Sequence, residues 1–193
     1  MNTAIIIPFF GEKQMQLLVK TVLFLFLSTV LALLFSYWLG PWFMGWKQSQ
    51  TSLVQVHALK AFKTGQQYEL ENNYSQAAHW YQKAARQGLA QAQIKLAHLY
   101  RDGQGISQNF AQAAQWLTKA ALQGSVDAQR KLADMYYTGK GVIQNLPQAA
   151  QWYHKAAVQG QVDAQFKLGI MYREGKGIPQ DLAQAAKWFK QAA

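Results

Sequence analysis

The chain has no cysteine among its 193 residues. Disulfides, thiolate zinc sites and thiol nucleophiles are therefore excluded, and nothing in its redox chemistry opposes an oxidising compartment. Carboxylates are scarce: nine Asp and Glu stand against 19 Lys and Arg, for a formal charge of +10. Histidine is scarce too. His57, His79, His98 and His154 include no i, i+4 pair. No Ser-x-x-Lys or Gly-x-Ser-x-Gly occurs, so the familiar acyl-transfer nucleophiles are missing. The Gly-x-Gly pairs at 103, 139 and 175 lack the strand and the Lys-Ser/Thr of a phosphate loop. Neither a metal, a cofactor nor a catalytic residue is expected.

What is present divides into two substances. Thr21 to Leu39, TVLFLFLSTVLALLFSYWL, is 19 residues without a charge. At 1.5 Å per residue it spans about 28 Å, close to the ~30 Å hydrocarbon thickness of a bilayer. Lys13 and Lys20 precede it, and Tyr37, Trp38, Trp42, Phe43 and Trp46 gather at its downstream end like an interfacial belt. A cleaved secretory signal is the rival reading, but the run ends in bulky FSYWLGPWF where cleavage requires small residues. The expectation is a leader over 1–20, with Met15 as an alternative start, and a single transmembrane helix with its belt over 21–46. A linker and leading helix follow over 47–73. Lysines fall on both sides of the span, so the positive-inside comparison barely decides orientation. The expected placement is the bacterial inner membrane with the main domain periplasmic.

The rest of the chain is periodic. Trp80, Trp116, Trp152 and Trp188 are 36 residues apart, as are Gly88, Gly124 and Gly160. Leu96, Leu132 and Leu168 keep the same step, as do Tyr100, Tyr136 and Tyr172. Each period reads as two helices. Asn73, Asn109, Asn145 and Asp181 are N-cap residues, with Gln76, Gln112, Gln148 and Gln184 three positions later. Gly88, Gly124 and Gly160 supply the left-handed stop. A second helix carries Ala92-Leu96-Tyr100 and its copies at i, i+4, i+8 and halts at Gly103, Gly139 and Gly175. Paired alanines such as Ala77-Ala78 and Ala84-Ala85 let helices approach closely, with the recurring Trp filling the space beside them. One such hairpin cannot bury its own apolar faces, whereas a stack can. The expected fold is all-α: a solenoid of helix-turn-helix repeats with a 36-residue period, covering 74–193 as three full units and a half, behind one transmembrane helix. After Ala193 the partner helix of the last unit is missing, which leaves an apolar edge near Ala186 and Phe189 as a candidate contact or oligomer surface.

The stretch AAQWYHKAAVQGQVDAQFKLGIMYREGKGIPQD, 149–181, resembles the Sel-one-like repeat, a relative of the tetratricopeptide repeat. The Ala-Ala-x-Trp start, the Ala-Ala-x-Gln-Gly turn and the Met-Tyr-x-x-Gly-x-Gly exit carry the likeness. The resemblance implies a right-handed α-solenoid that acts as a protein-interaction scaffold, in a family whose members are often secreted or membrane-linked. It offers no shared catalytic residue. A cysteine-rich subgroup staples each repeat with a disulfide, and this chain departs from it.

Function then rests on the positions that the repeat leaves free. One residue before each Trp stand His79, Gln115, Gln151 and Lys187; two after it stand Gln82, Thr118, His154 and Lys190. They form an i, i+3 column on the first helix of each unit. In related solenoids that helix lines the concave face, so the column is a candidate groove for an extended or helical peptide; the bland alternative is a solvated face. Asp127 and Asp163 sit in the first turn of the second helix, where they favour the dipole rather than acid–base work. Lys83, Lys119 and Lys155, with Lys95, Lys131 and Lys167, spread positive charge around the array, which suits acidic segments or anionic headgroups. A nucleic-acid binder would concentrate that charge in a stripe with stacking aromatics, so nucleic acid is not expected. The leading expectation is a membrane-anchored, non-catalytic adaptor. An envelope enzyme acting on cell-wall material and a docking subunit of a larger membrane complex are the alternatives.

Overall fold

The computed structural model describes Gln16, residues 20–23 and residues 40–193, with side chains in the long stretch from Leu53 onward. The leader and the expected span therefore lie almost wholly outside the described residues. Among the described residues, no helix is long and apolar enough to cross a membrane. The chain divides into two compact units, Met1–Ser52 and Leu53–Ala193. Eight helices follow in order from residue 40: α1 Gly40–Leu70, α2 Tyr74–Arg86, α3 Ala90–Asp102, α4 Phe110–Leu122, α5 Val126–Thr138, α6 Leu146–Ala157, α7 Val162–Glu174 and α8 Leu182–Ala192. No strand occurs among the described residues. Helix α1 begins inside the stretch read as the aromatic end of the span and runs unbroken through the residues read as linker.

The expected punctuation sets these boundaries. Backbone amides of Gln76, Gln112, Gln148 and Gln184 donate to the side chains of Asn73, Asn109, Asn145 and Asp181 at 2.9–3.2 Å. Each such cap contributes about 1 kcal/mol. At the other end, Gly88, Gly124 and Gly160 have φ of +92, +90 and +85. The next amide folds back onto the helix, Leu89 N to Ala84 O at 3.3 Å and Ser125 N to Ala120 O at 3.2 Å. A Cβ at these three glycines would meet nothing within 4 Å, so left-handed φ alone selects glycine there.

The Gly-x-Gly exits do more than stop a helix. Gly103, Gly139 and Gly175 are left-handed caps, as expected. The second glycine is a place of close approach. A Cβ at Gly141 would stand 2.3 Å from the Phe110 carbonyl oxygen, and one at Gly105 2.2 Å from the Tyr74 carbonyl carbon. The loop leaving α5 thus lies against the start of α4, with backbone touching backbone. A glutamine holds each loop in one shape: Gln108, Gln144 and Gln180 donate to the carbonyls of Arg101, Tyr137 and Arg173 at 2.8–2.9 Å.

Between helices the contact is alanine. Ala77, Ala84, Ala92, Ala120, Ala128, Ala149, Ala156 and Ala164 are wholly buried, with Leu96, Leu132 and Leu168 between them. The end of α1 joins this core through Ala58, Ala61 and Phe62, whose ring meets Tyr81 at 5.5 Å. Gly65 lies directly under the Tyr81 ring, and Gly169 under Phe189. The tryptophans are less uniform than expected. Trp116 and Trp188 are buried, whereas Trp80 and Trp152 are half-exposed and carry the Nζ of Lys83 and Lys155 over their rings at 5.0 and 4.1 Å. Lys119 stands over Trp116 at 4.1 Å. Part of the charge read as a diffuse halo is therefore fixed on the repeat's own aromatics.

A second ladder is polar and buried. Gln93, Gln129 and Gln165 donate to the carbonyls of Ala85, Ala121 and Ala157 at 3.0–3.2 Å. Gln123 and Gln159 in turn donate to the oxygens of Gln93 and Gln129 at 2.9 and 2.8 Å. Each rung ties the end of one helix, through the next, to the end of the third.

The two kinds of glycine should respond differently to a methyl group. Gly124→Ala meets only the cost of left-handed φ, about 1 kcal/mol. Gly141→Ala adds a collision with backbone and should cost at least about twice that. Urea midpoints of the two variants check the order; equal losses would contradict the close approach.

Candidate functional site

The column predicted from the repeat lies on one face of α2, α4, α6 and α8. His79, Gln115, Gln151, His154, Lys187 and Lys190 are exposed; Gln82 and Thr118 are half-buried. The exposed ones carry donors and acceptors that the fold does not use. The Thr118 hydroxyl, by contrast, donates to the Ala114 carbonyl at 2.8 Å and is spent on its own helix. His79 stands edge-on to Trp80 at 5.7 Å, and His154 to Trp188 of the following unit at 5.6 Å.

Two clefts open along this face in the same register, two periods apart. The first, about 200 Å³, is lined by Ser75, Ala78, His79, Gln82, Leu96, Tyr100 and Ile106. The second, about 480 Å³, repeats those positions as Pro147, Ala150, Gln151, His154, Leu168, Tyr172 and Ile178, with Lys155 and Gly177 added. Each cleft pairs amide or imidazole groups with an apolar wall of Leu, Tyr and Ile. Such a wall accepts a side chain while the polar lip bonds to a peptide backbone. The wall was only half legible. Leu96 and Tyr100 read as core stripe, and Ile106 and Ile178 passed unnoticed although they keep the 36-residue step. Lys187 and Lys190 line neither cleft and stand on the exposed side of the last helix.

No group of His, Asp and Glu among the described residues is placed to hold a metal. His79 and His154 face tryptophan edges rather than carboxylates. At the other candidate surface, Phe189 is covered in part by the chain itself: its ring meets Phe166 at 5.6 Å, and the Arg173 guanidinium lies 5.9 Å from it. Ala186 is exposed.

Away from the column, several titrating groups are shifted by burial and by their neighbours. Burial and a bond to Glu69 push the Tyr81 hydroxyl far above the ordinary phenol range, and burial and Asp134 do the same to Tyr153. Burial raises the Glu69 carboxyl, but bonds from Tyr81 and from Lys95, 2.9 Å away, outweigh it and leave the group below its ordinary value. His98 is held below the usual imidazole value, first by burial and then by the charges of Lys131 and Arg101, against a smaller pull from Asp127 and Asp102.

Helical hairpins stacked at alanine faces, one after another, define an α-solenoid. A sequence model of the Sel1 repeat matches residues 58–89, 90–125, 126–161 and 162–193, and the chain belongs to the Sel1 repeat family. That frame pairs α3 with α4, α5 with α6 and α7 with α8, and draws the end of α1 into a first unit with α2. Proteins of this family generally act as non-enzymatic protein-binding scaffolds. Among solved structures, c5321 of uropathogenic Escherichia coli, a protective antigen with an SLR fold, is 35% identical at a TM-score of 0.68, over 72% of this chain and 30% of that one. A Sel1 repeat protein from Oxalobacter formigenes is 33% identical at a TM-score of 0.66, over 70% of this chain and 57% of that one. This chain thus spans less than two thirds of the length of either. A comparison with curated proteins finds no match.

The depressed His98 value has a sign that an experiment can read. A group less basic in the folded state contributes stability above its ordinary pKa and loses it as pH falls through the lowered one. Stability should therefore decline as pH falls below the ordinary imidazole value of about 6.5, before the Glu69 contribution goes at more acid pH. His98→Gln should flatten the first decline and leave the second. Urea midpoints across that range, unchanged in slope by the substitution, would show that His98 is not the group responsible.

Proposed function

We propose that this chain is a membrane-anchored, non-catalytic scaffold that holds a segment of a protein partner along the column of α2, α4, α6 and α8. The observation that carries the reading is the repetition of one cleft: His79 and Gln82 in the first and Gln151 and His154 in the second stand in the same register beside the same Leu-Tyr-Ile wall. A partner peptide meets equivalent contacts at a fixed spacing, so several weak contacts add along one strand or helix. The amide-rich lip favours backbone contacts, and Lys187 and Lys190 bias the partner towards acidic segments. Family membership supports the scaffold role. Reproducible turnover of cell-wall material by the purified chain would overturn its non-catalytic part.

Anchoring rests on the 19 uncharged residues from Thr21 to Leu39 and the aromatic cluster after them. In this proposal the repeats lie on the periplasmic side of a bacterial inner membrane.

Two measurements test these parts separately. Alanine at Gln151, His154, Lys187 and Lys190 removes exposed groups only, so the helical spectrum should be unchanged while a partner recovered with the wild-type chain is lost or weakened about tenfold or more. Recovery of the same partner in the same amount would remove the column from the interface. A reporter that works on one side of the membrane only, fused after Ala193, should be active in its periplasmic form. Activity in the cytoplasmic form alone reverses the orientation, and release of the fusion into the soluble fraction removes the anchor.

A further inference from the structure

Helix α1 carries apolar residues on two faces, and the array uses one of them. Ala58, Ala61 and Phe62 are buried on the side of the first hairpin. On the opposite side Leu53, Val56 and Leu59 are 52%, 59% and 45% exposed, and Leu70 is 79% exposed. Lys60 and Lys63 stand among them, both exposed. At about 100° per residue these six positions fall within about 120° of arc, so they form one stripe. Among the described residues neither lysine meets a carboxylate or an aromatic ring. No residue of the stripe lines the clefts between the hairpins.

The stripe belongs to a stretch from which negative charge is missing. The 56 residues from Lys13 to Tyr68 hold Lys13, Lys20, Lys47, Lys60 and Lys63 and no Asp or Glu; one carboxylate precedes them and eight follow. Further on, cations are matched, as Lys95 is to Glu69 at 2.9 Å and Arg130 to Asp134 at 2.7 Å. On α1 they are left unmatched beside exposed aliphatic side chains. A helix face of that composition suits a bilayer interface, where the aliphatic groups enter the acyl boundary and the ammonium groups stay among the headgroups.

We propose that this outward face of α1 lies on an anionic phospholipid surface, with Leu53, Val56 and Leu59 dipping into the acyl boundary and Lys60 and Lys63 held by the headgroup phosphates. The proximity of lipid rests on the anchoring proposed above: Leu53 follows Leu39 by 14 residues. That is about 21 Å of helix, so an anchored chain keeps the stripe near lipid at high effective concentration. Pro41 falls in the first turn of α1, where a proline begins a helix, so the direction of α1 is not set by the run before it. Other occupants fit less well. A second copy along the same face would set four lysines together with no carboxylate between them. A free phosphate would leave the aliphatic side chains in water. A folded acidic partner would need a groove shaped to the protruding Leu and Val, whereas lipid yields to any shape.

The absence of cysteine lets Val56→Cys carry a single polarity-sensitive dye on the full chain. Ile143→Cys, on an exit loop and 91% exposed, is the control. Each is placed in nanodiscs of phosphatidylcholine alone or with about a third phosphatidylglycerol. The Val56 dye should shift to the blue in the anionic discs, and the Ile143 dye should not move. Lys60→Gln with Lys63→Gln should keep the helical spectrum and lower the ratio of attached to free stripe about tenfold or more. Added salt should act in the same direction. Equal emission in the two kinds of disc would give the face to a protein partner and overturn the proposal. So would a shift that survives the double substitution, or the same shift from soluble glycerol phosphate. A shift in neutral discs that grows with the number of chains per disc would identify a second copy and overturn it as well. Failure of the chain to stay with neutral discs removes the anchor instead. The free chain is then added to anionic vesicles, where the dye still decides, because that contact needs no span.

Discussion

Everything in the array depends on how near two helix backbones come. The alanine pairs of α2, α4 and α6 are buried with almost no surface left, and the second glycine of each exit loop lies against the backbone of an earlier helix. At such distances no side chain larger than a methyl fits, so the period is fixed by steric exclusion more than by attraction. Attraction then refines it. The aromatic at the position of Tyr81 is balanced by the size of the residue beneath it, glycine under Tyr81 and under Phe189. The buried glutamine rungs add direction, since each amide can donate only one way along the array.

Electrostatics is arranged in the same economy. A chain with ten surplus positive charges could be expected to present a broad basic surface. Instead Lys83, Lys119 and Lys155 lie over tryptophan rings, and Lys95, Lys131, Arg101 and Arg130 are matched to carboxylates. The acidic residues, though few, are placed where cations would otherwise crowd. Lys60, Lys63 and Arg86 near the start of the array and Lys187 and Lys190 on the last helix carry neither an ion pair nor a ring contact.

The fold was legible because its determinants are local and repeated. Asn73 and its copies, the glycines after each first helix and the Ala-Leu-Tyr stripe act within a turn or two of their own positions, and each appears three or four times. The candidate groove was legible only as a column of variable residues. Its apolar wall was hidden because Tyr100 and Tyr172 serve the core and the cleft at once, and periodicity cannot separate two uses of one ring. The lysine–tryptophan contacts lay within reach as an i, i+3 pattern and were masked by the habit of reading lysine as solvated. The uneven burial of the tryptophans was not legible, since it depends on which side chain of the neighbouring unit covers each one. The glutamine ladder is the clearest omission. Gln93, Gln129 and Gln165 keep the 36-residue step as strictly as any tryptophan, but a polar residue in a helix does not announce that it is buried.

The range of the contacts has a consequence for how such a chain comes into being. The rungs that stitch hairpin to hairpin join residues 30 apart, and the Lys95–Glu69 bridge joins residues 26 apart. No stage of assembly has to wait for a distant part of the polypeptide. Each hairpin can close soon after its last residue leaves the ribosome and then serve as the template on which its successor settles.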